Sequence, residues 1–176
     1  MGLSSWIRRI LDPKPKINPE VMSDALAMDT INRVLPRFAP QGKEFVRLRR
    51  EAVYMMSSIA FLCIVVHPRF DQHSGHAFFN RYLAHINAYG LEAGLWPSVS
   101  PGFLAMVFPA RLEAYLEVLE LSDPTDAAQV EGVIRRAALL AASTVGSEIE
   151  LPAGVTDQLG SMGVEQWDST IEVLDA

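Results

Sequence analysis

The fold is decided by residues 43–66, KEFVRLRREAVYMMSSIAFLCIVV. Apolar side chains recur there every three or four residues without a break, which is the spacing of one face of an α-helix. They are Phe45, Leu48, Ala52, Met55, Ile59, Leu62 and Val66. The second half of the stretch is apolar nearly all round, and such a helix is normally buried among other helices. We therefore expect residues 43–66 to form the central helix of a domain.

The same stretch is too short to predict a membrane span. Its longest apolar run, residues 52–66, has 15 residues and contains two serines, whereas a transmembrane helix needs about 20 apolar residues. A chain of 176 residues that is 49% hydrophobic can bury a core of ordinary size without metals or disulfides. We expect a soluble domain.

Weaker helix signals flank the central helix on both sides. Asn18 and Pro19 have the pattern of a cap followed by proline at the first helical position, and Gly90 is placed as a left-handed helix terminator. These signals predict helices over about 18–35, 76–89, 100–119 and 122–145. The predicted fold class is all-α, a single compact domain of about five or six helices around the central helix at about 43–66.

Charge and periodicity divide the chain into three parts. Residues 1–17 are predicted to be an amphipathic N-terminal arm, residues 18–147 a helical core domain, and residues 148–176 an acidic C-terminal tail. The net charge is -6, and residues 148–176 carry seven acidic side chains and no basic one. Residues 1–69 carry 11 basic and 6 acidic side chains, so we expect basic residues there to pair with the tail or with an acidic partner.

Both ends of the chain contain apolar residues at helical spacing. The arm combines four apolar residues with Arg8 and Arg9, which suits docking on a protein surface or a peripheral contact of residues 1–12 with an anionic membrane. The tail suits a helix-in-groove contact with a partner or an intramolecular clasp. The predicted partner-binding residues are Trp6, Ile10, Trp167, Ile171 and Leu174.

One cluster of residues invites a metal-binding interpretation. Three histidines and an aspartate occur within ten positions, and neutral imidazoles with a carboxylate are ligands that zinc or another divalent metal accepts. The candidate metal ligands are His67, Asp71, His73 and His76. Their spacing fits no metal motif, and the alternative is a polar loop before a helix N-terminus.

Other catalytic and nucleotide-binding signals are weak or missing. Cys63 lies in an apolar run, where burial raises the thiol pKa and leaves the thiol inert. The sequence has neither a G-x-x-x-x-G-K-[ST] nor a G-x-G-x-x-G phosphate loop. Six basic residues between Arg33 and Arg50 make nucleic acid a minor alternative. A lone cysteine cannot form an intramolecular disulfide, which favours a cytoplasmic location.

These observations favour a non-enzymatic helical protein-binding module without a cofactor, such as an adaptor, an inhibitor or a toxin-neutralising immunity protein. One alternative is a metal-dependent enzyme or metal sensor that uses the cluster from His67 to His76. A second alternative is a membrane-peripheral helical protein anchored by the arm. Bound metal and binding to liposomes are the observations that would separate these classes.

Overall fold

The computed structural model describes residues 18–38, 44–96 and 103–176, with residues 44 and 103–106 described by their backbone only. These ranges contain six helices and no strand. The helices are α1 (Pro19–Arg37), α2 (Glu44–Val66), α3 (Gln72–Glu92), α4 (Phe103–Val118), α5 (Ala127–Gly146) and α6 (Val155–Asp175). The predicted all-α class is confirmed. The arm, residues 1–17, lies outside the described residues.

The central position of α2 is also confirmed. It contacts each of the other five helices. Its inward side chains, among them Leu48, Met55 and Ile59, are completely buried, as expected for a helix that is apolar nearly all round. Among the helices that the structure describes, none has the length and apolar character required to cross a membrane.

The segment predicted as an acidic tail supplies a helix of the bundle. α6 packs against α1, α2 and α5, and its buried side chains recur at helical spacing from Val155 through Leu159 and Met162 to Leu174. A stripe of this length buries enough apolar surface to hold the helix on the core. Within residues 148–176, which the sequence analysis sets apart as a tail, α6 is thus packed against the helical core.

Gly90 does not end α3, contrary to the sequence prediction. The helix continues to Glu92, and the residue with left-handed backbone conformation is Gly94, with φ of +68°. The indole of Trp96 packs directly on Gly90, where a Cβ atom would overlap the ring. Position 90 requires glycine because of this close approach and not because of its backbone angle.

A buried hydrogen-bond network joins four of the helices. The Tyr82 hydroxyl on α3 lies 3.1 Å from Thr30 Oγ1 on α1 and 3.1 Å from Ser57 Oγ on α2. On α6, Gln166 Oε1 accepts from Thr30 at 3.1 Å and Gln166 Nε2 donates to Thr170 at 3.1 Å. Burial raises the pKa of Tyr82 to about 12, so its hydroxyl keeps its proton at neutral pH. A satisfied network of this kind fixes how the helices pack.

The basic residues of the first helices pair with acidic residues near the C-terminus, which confirms the first of the two pairings expected from sequence. Arg33 and Arg37 on α1 lie 3.0 and 2.8 Å from Glu165 on α6. Arg47 on α2 forms an ion pair with Glu148, in the connection between α5 and α6. Basic and acidic residues that are far apart in the sequence thus form ion pairs within the fold.

Candidate partner-binding groove

A groove runs along the surface between α5 and α6. It consists of two adjoining depressions of about 610 and 260 Å³, which share Glu131, Ser161 and Val164 as lining residues. The larger depression includes Trp167 and the smaller one includes Asp157. At 1.5 Å of rise per residue, the distance along α6 between these two positions is about 15 Å.

The floor of the groove is apolar. α5 contributes Val130 and Ile134, which are four residues apart, and α6 contributes Val164 and Trp167, which are three apart. These spacings place each pair on one face of its helix. Trp167 is 8% exposed and Ile134 is 1% exposed. Val164 is half-buried, so the floor exposes only a narrow strip of apolar surface at the outer edge of the core.

The rim of the groove is acidic, and part of its charge is not neutralised. Asp157 and Asp168 are exposed and form no ion pair with any residue that the structure describes. They are eleven positions apart on α6, which puts them on the same side of the helix about 16 Å from each other. Glu131 differs from them because it pairs with Arg135 at 3.2 Å.

Glu165 marks the edge of the groove toward α1. Burial raises the pKa of this carboxyl group, but the hydrogen bond from Arg37 and the charges of Arg37 and Arg33 outweigh burial and hold the pKa below its ordinary value. Ser161 donates a further hydrogen bond to Glu165 at 3.3 Å. Glu165 is consequently ionised at neutral pH and held between α1 and α6.

The predicted partner-binding residues of the C-terminal segment have different positions in the structure. Trp167 lies in the floor of the groove. Leu174 is buried in the core, and its carbonyl accepts a hydrogen bond from Arg69 at 2.8 Å, whereas Ile171 is half-buried against the core. For Leu174 the structure shows the intramolecular clasp and not a free contact surface. Trp6 and Ile10 lie outside the described residues.

Sequence alone does not indicate the α5 side of the groove. Val130 and Ile134 share a helix face, but the same spacing describes any core position of an amphipathic helix. Glu131 reads as an ordinary solvated residue beside them. Only the packing of α5 against α6 in the structure shows that the face of α5 with Val130 and Ile134 lies at the groove.

The four candidate metal ligands lie in two different surroundings in the structure. No group of three or more His, Cys, Asp or Glu residues within the described ranges is arranged to hold a metal ion. His67 is buried, its Nδ1 accepts from the Arg69 backbone N–H at 3.2 Å, and its Nε2 lies 3.4 Å from Asp175 Oδ1. His67 therefore belongs to the contact between α2 and α6.

The other three predicted ligands lie at the start of α3. Asp71 is the N-cap, and its carboxylate accepts from the Ser74 backbone N–H at 2.7 Å, so helix capping occupies it. His76 Nδ1 lies 2.6 Å from the carbonyl oxygen of Gln72. Asp71, His73 and His76 line one wide, open depression. The polar-loop alternative describes these residues better than zinc binding.

A buried carboxylate that the sequence did not single out links α2 to α4. Glu51 is 4% exposed, accepts a hydrogen bond from the Tyr115 hydroxyl at 2.7 Å and lies 3.6 Å from Arg111 Nε. Burial raises the pKa of Glu51, although Tyr115 and Arg111 act in the opposite direction. The contacts with Tyr115 and Arg111 of α4 explain why Glu51 is buried.

The thiol of Cys63 has the environment expected from sequence. It is completely buried, and burial raises its pKa well above the ordinary value. A buried thiol of this kind is a poor nucleophile.

Comparison with known proteins finds no matching family model, no matching curated protein and no matching solved structure. The functional argument therefore depends on the chemistry of the α5–α6 groove. An apolar floor beside carboxylates without ion-pair partners suits an amphipathic segment that carries basic side chains.

Proposed function

We propose that this chain is a non-enzymatic protein-binding module whose α5–α6 groove binds a basic amphipathic helix of a partner protein. The observation that carries the proposal is the apolar floor at Val130, Val164 and Trp167 beside the exposed Asp157 and Asp168, which lack ion-pair partners among the described residues. An adaptor, an inhibitor and a toxin-neutralising immunity protein all act through such binding. We propose the cytoplasm as its compartment.

The dimensions of the groove support a helical ligand. Helix-in-groove recognition uses apolar anchors at positions i, i+3 or i+4, and i+7, and a groove of about 15 Å accommodates about ten helical residues. Two carboxylates about 16 Å apart are spaced for basic side chains near the two ends of such a ligand. Their charge also favours the approach of a basic partner.

The basic residues of the chain support a protein partner over nucleic acid. Arg33 and Arg37 are engaged with Glu165, and Arg47 is engaged with Glu148. Arg49 donates to the carbonyl of Phe38 at 3.0 Å. Arginine side chains that are engaged with internal partners are poorly placed to bind phosphates. The acidic rim of the groove also repels phosphate groups.

Peptide binding to the full chain tests the proposal. The probe is a fluorescent basic amphipathic peptide of three helical turns, compared with a peptide that has the same apolar residues and glutamate in place of lysine. We expect the basic peptide to bind more tightly in fluorescence anisotropy. The double variant Asp157→Asn with Asp168→Asn should weaken its binding about tenfold, from about 0.7 kcal/mol for each exposed ion pair.

The matched control is Glu117→Gln with Glu172→Gln, which removes the same charge from exposed positions outside the groove. It should leave the affinity close to that of the wild-type chain. Equal affinities of the groove variant and the control variant would overturn the proposal. Equal binding of the basic and the acidic peptide would overturn it as well.

A further inference from the structure

The N-terminal arm of this chain has the composition that the α5–α6 groove suits. Its apolar residues are Trp6, Ile7, Ile10 and Leu11, and its basic residues are Arg8, Arg9, Lys14 and Lys16. Asp12 is its one acidic residue. A helix over residues 4–11 would be about 12 Å long, which fits within the groove's length of about 15 Å.

The arm begins close enough to the groove to reach it within one molecule. α1 and α6 are antiparallel, because Asp29 pairs with Ser169 at 2.8 Å while Arg33 pairs with Glu165 at 3.0 Å. Asn18 therefore lies about 16 Å along α1 beyond the level of Ser169. Residues 12–17 include two prolines and span up to about 19 Å when extended. The seven steps from Asn18 to residue 11 cover about 22–25 Å when extended, which spans the axial offset together with the roughly 10 Å width of α6 that the arm must cross to reach the Trp167 end of the groove.

We propose that residues 1–16 dock in the α5–α6 groove of the same chain, with their apolar face on the groove floor and their basic side chains toward Asp157 and Asp168. The arm then occupies the site in the absence of a partner, and a partner helix has to displace it. The displacement step rests on the proposed function, whereas docking of the arm does not depend on it.

The exposed apolar residues of α1 are a less suitable surface for the arm. Val21 and Met28 are exposed, but the carboxylates beside them already have partners. Glu20 and Asp24 lie 3.1 and 3.3 Å from the ring nitrogens of His85. Asp157 and Asp168 of the groove form no ion pair within the part of the chain that the structure describes, so charge complementarity favours the groove.

Paramagnetic relaxation in the full chain tests docking without any partner. A nitroxide is attached at Ala128→Cys, an exposed position on α5 next to the groove residue Ala127. The control label is Glu117→Cys on α4, which lies across α5 from the groove because Arg136 donates to the carbonyl of Val118. Cys63 is buried and stays unlabelled. We expect amide signals of residues 3–11 to be broadened by the first label only.

Asp157→Asn with Asp168→Asn in the labelled chain should remove most of this broadening, and Arg8→Glu with Arg9→Glu should do the same. Absence of broadening from Ala128→Cys, or equal broadening from both labels, would overturn the proposal. Broadening that appears when labelled chains are mixed with unlabelled isotope-enriched chains would overturn it too, because the arm would then occupy a second copy.

The same variants separate this proposal from the proposed function. If the arm docks, Arg8→Glu with Arg9→Glu should raise the affinity of the full chain for the basic peptide several-fold. Binding of the peptide without docking of the arm would overturn the arm proposal alone. Docking of the arm without any peptide binding would overturn the proposed function alone.

Discussion

Gln166 shows how a single polar side chain can hold several helices in place. It is completely buried on α6 and bridges Thr30 and Thr170. Thr30 in turn contacts the Tyr82 hydroxyl of α3. A buried polar group that loses its partner costs more than the hydrogen bond gained when the pair formed, because it has already given up its water.

Gln166→Leu should therefore lower the free energy of unfolding by about 1–3 kcal/mol, since Thr30 and Thr170 would each lose a hydrogen-bond partner. Chemical denaturation monitored by circular dichroism measures the change. The control is Gln158→Leu, an exposed position on the same helix, for which we expect a change within about 0.5 kcal/mol. Similar losses in the two variants would contradict the structural role of the network.

Whereas Gln166 stabilises the fold, Glu51 destabilises it when ionised, because the charged carboxylate is buried. Its folded pKa is raised from the ordinary value of 4.5. A group with a raised folded pKa contributes stability that is complete below the unfolded pKa and is lost as the pH rises through the folded pKa. Ionisation of Glu51 therefore weakens the fold near neutral pH.

We expect the wild-type chain to gain stability relative to Glu51→Gln as the pH falls from neutral toward 4.5. Glutamine still accepts the hydrogen bond from Tyr115 but does not titrate. Urea denaturation of both proteins across this pH range gives the difference. Glu117→Gln, at an exposed position on α4, should show no such trend, and a flat difference for Glu51→Gln would contradict the argument.

At the scale of elements, α5 and α6 approach each other closely through small residues. A Cβ atom at position 163 would lie 2.5 Å from Ile134 Cγ2 on α5 and 3.1 Å from Ile59 Cδ1 on α2. Three positions away, a Cβ atom at position 160 would meet only the Cβ of Ala138, at 4.0 Å. The two glycines of one helix thus have different surroundings.

Gly163→Ala should destabilise the fold by about 1–3 kcal/mol, because the added methyl group overpacks the contact with Ile134. Gly160→Ala should be neutral or stabilising by up to about 1 kcal/mol, because alanine favours the helix and finds room. Thermal unfolding of the two variants measures both effects. A loss for Gly160→Ala as large as that for Gly163→Ala would contradict the packing described.

Sequence predicts α2 well and α6 poorly, and the glycines explain the difference. The apolar repeat of α2 is unbroken, so its period alone identifies it. Along α6, Gly154, Gly160 and Gly163 resemble loop signals. In the structure Gly154 precedes the helix with φ of +81°, and Gly163 allows close packing. The close packing at Gly163 depends on a neighbouring helix, which the local sequence pattern cannot reveal.

The groove is also predictable only in part, because it depends on how two helices pack against each other. Trp167 was predicted to bind a partner because it lies in an apolar stripe flanked by acids, and the structure places it in the floor of the groove. Val130 and Ile134 had no distinguishing signal, since their position in the groove floor depends on where α5 meets α6. Asp71 was predicted as a metal ligand and is the N-cap of α3 in the structure, and these two roles of a carboxylate look alike in sequence.

At the scale of the whole molecule, the first and last described helices hold each other. Arg33 and Arg37 of α1 bind Glu165 of α6, and Asp29 accepts a hydrogen bond from Ser169. These contacts join residues 128 to 140 positions apart. Without α6, the polar groups of the buried network and the apolar surface under α6 would be left uncovered.

A chain ending at Gly154 should consequently lose cooperative unfolding, because it lacks α6. Near-ultraviolet circular dichroism and a thermal melt are the appropriate measurements. The control is a chain that lacks only Ala176, an exposed residue, which should melt like the full chain. A cooperative transition in the shorter chain would show that residues 18–147 fold alone, as first expected from sequence.

The antiparallel pairing of α1 with α6 also has a consequence for synthesis. The ribosome releases α1 well before α6, so the surface that α6 covers stays open until α6 has emerged. Until then helices α1–α5 form a bundle that lacks α6. Exposed apolar surface of this kind makes nascent chains prone to aggregate. A stop codon within α6 would leave this surface uncovered in every chain that is made from that message.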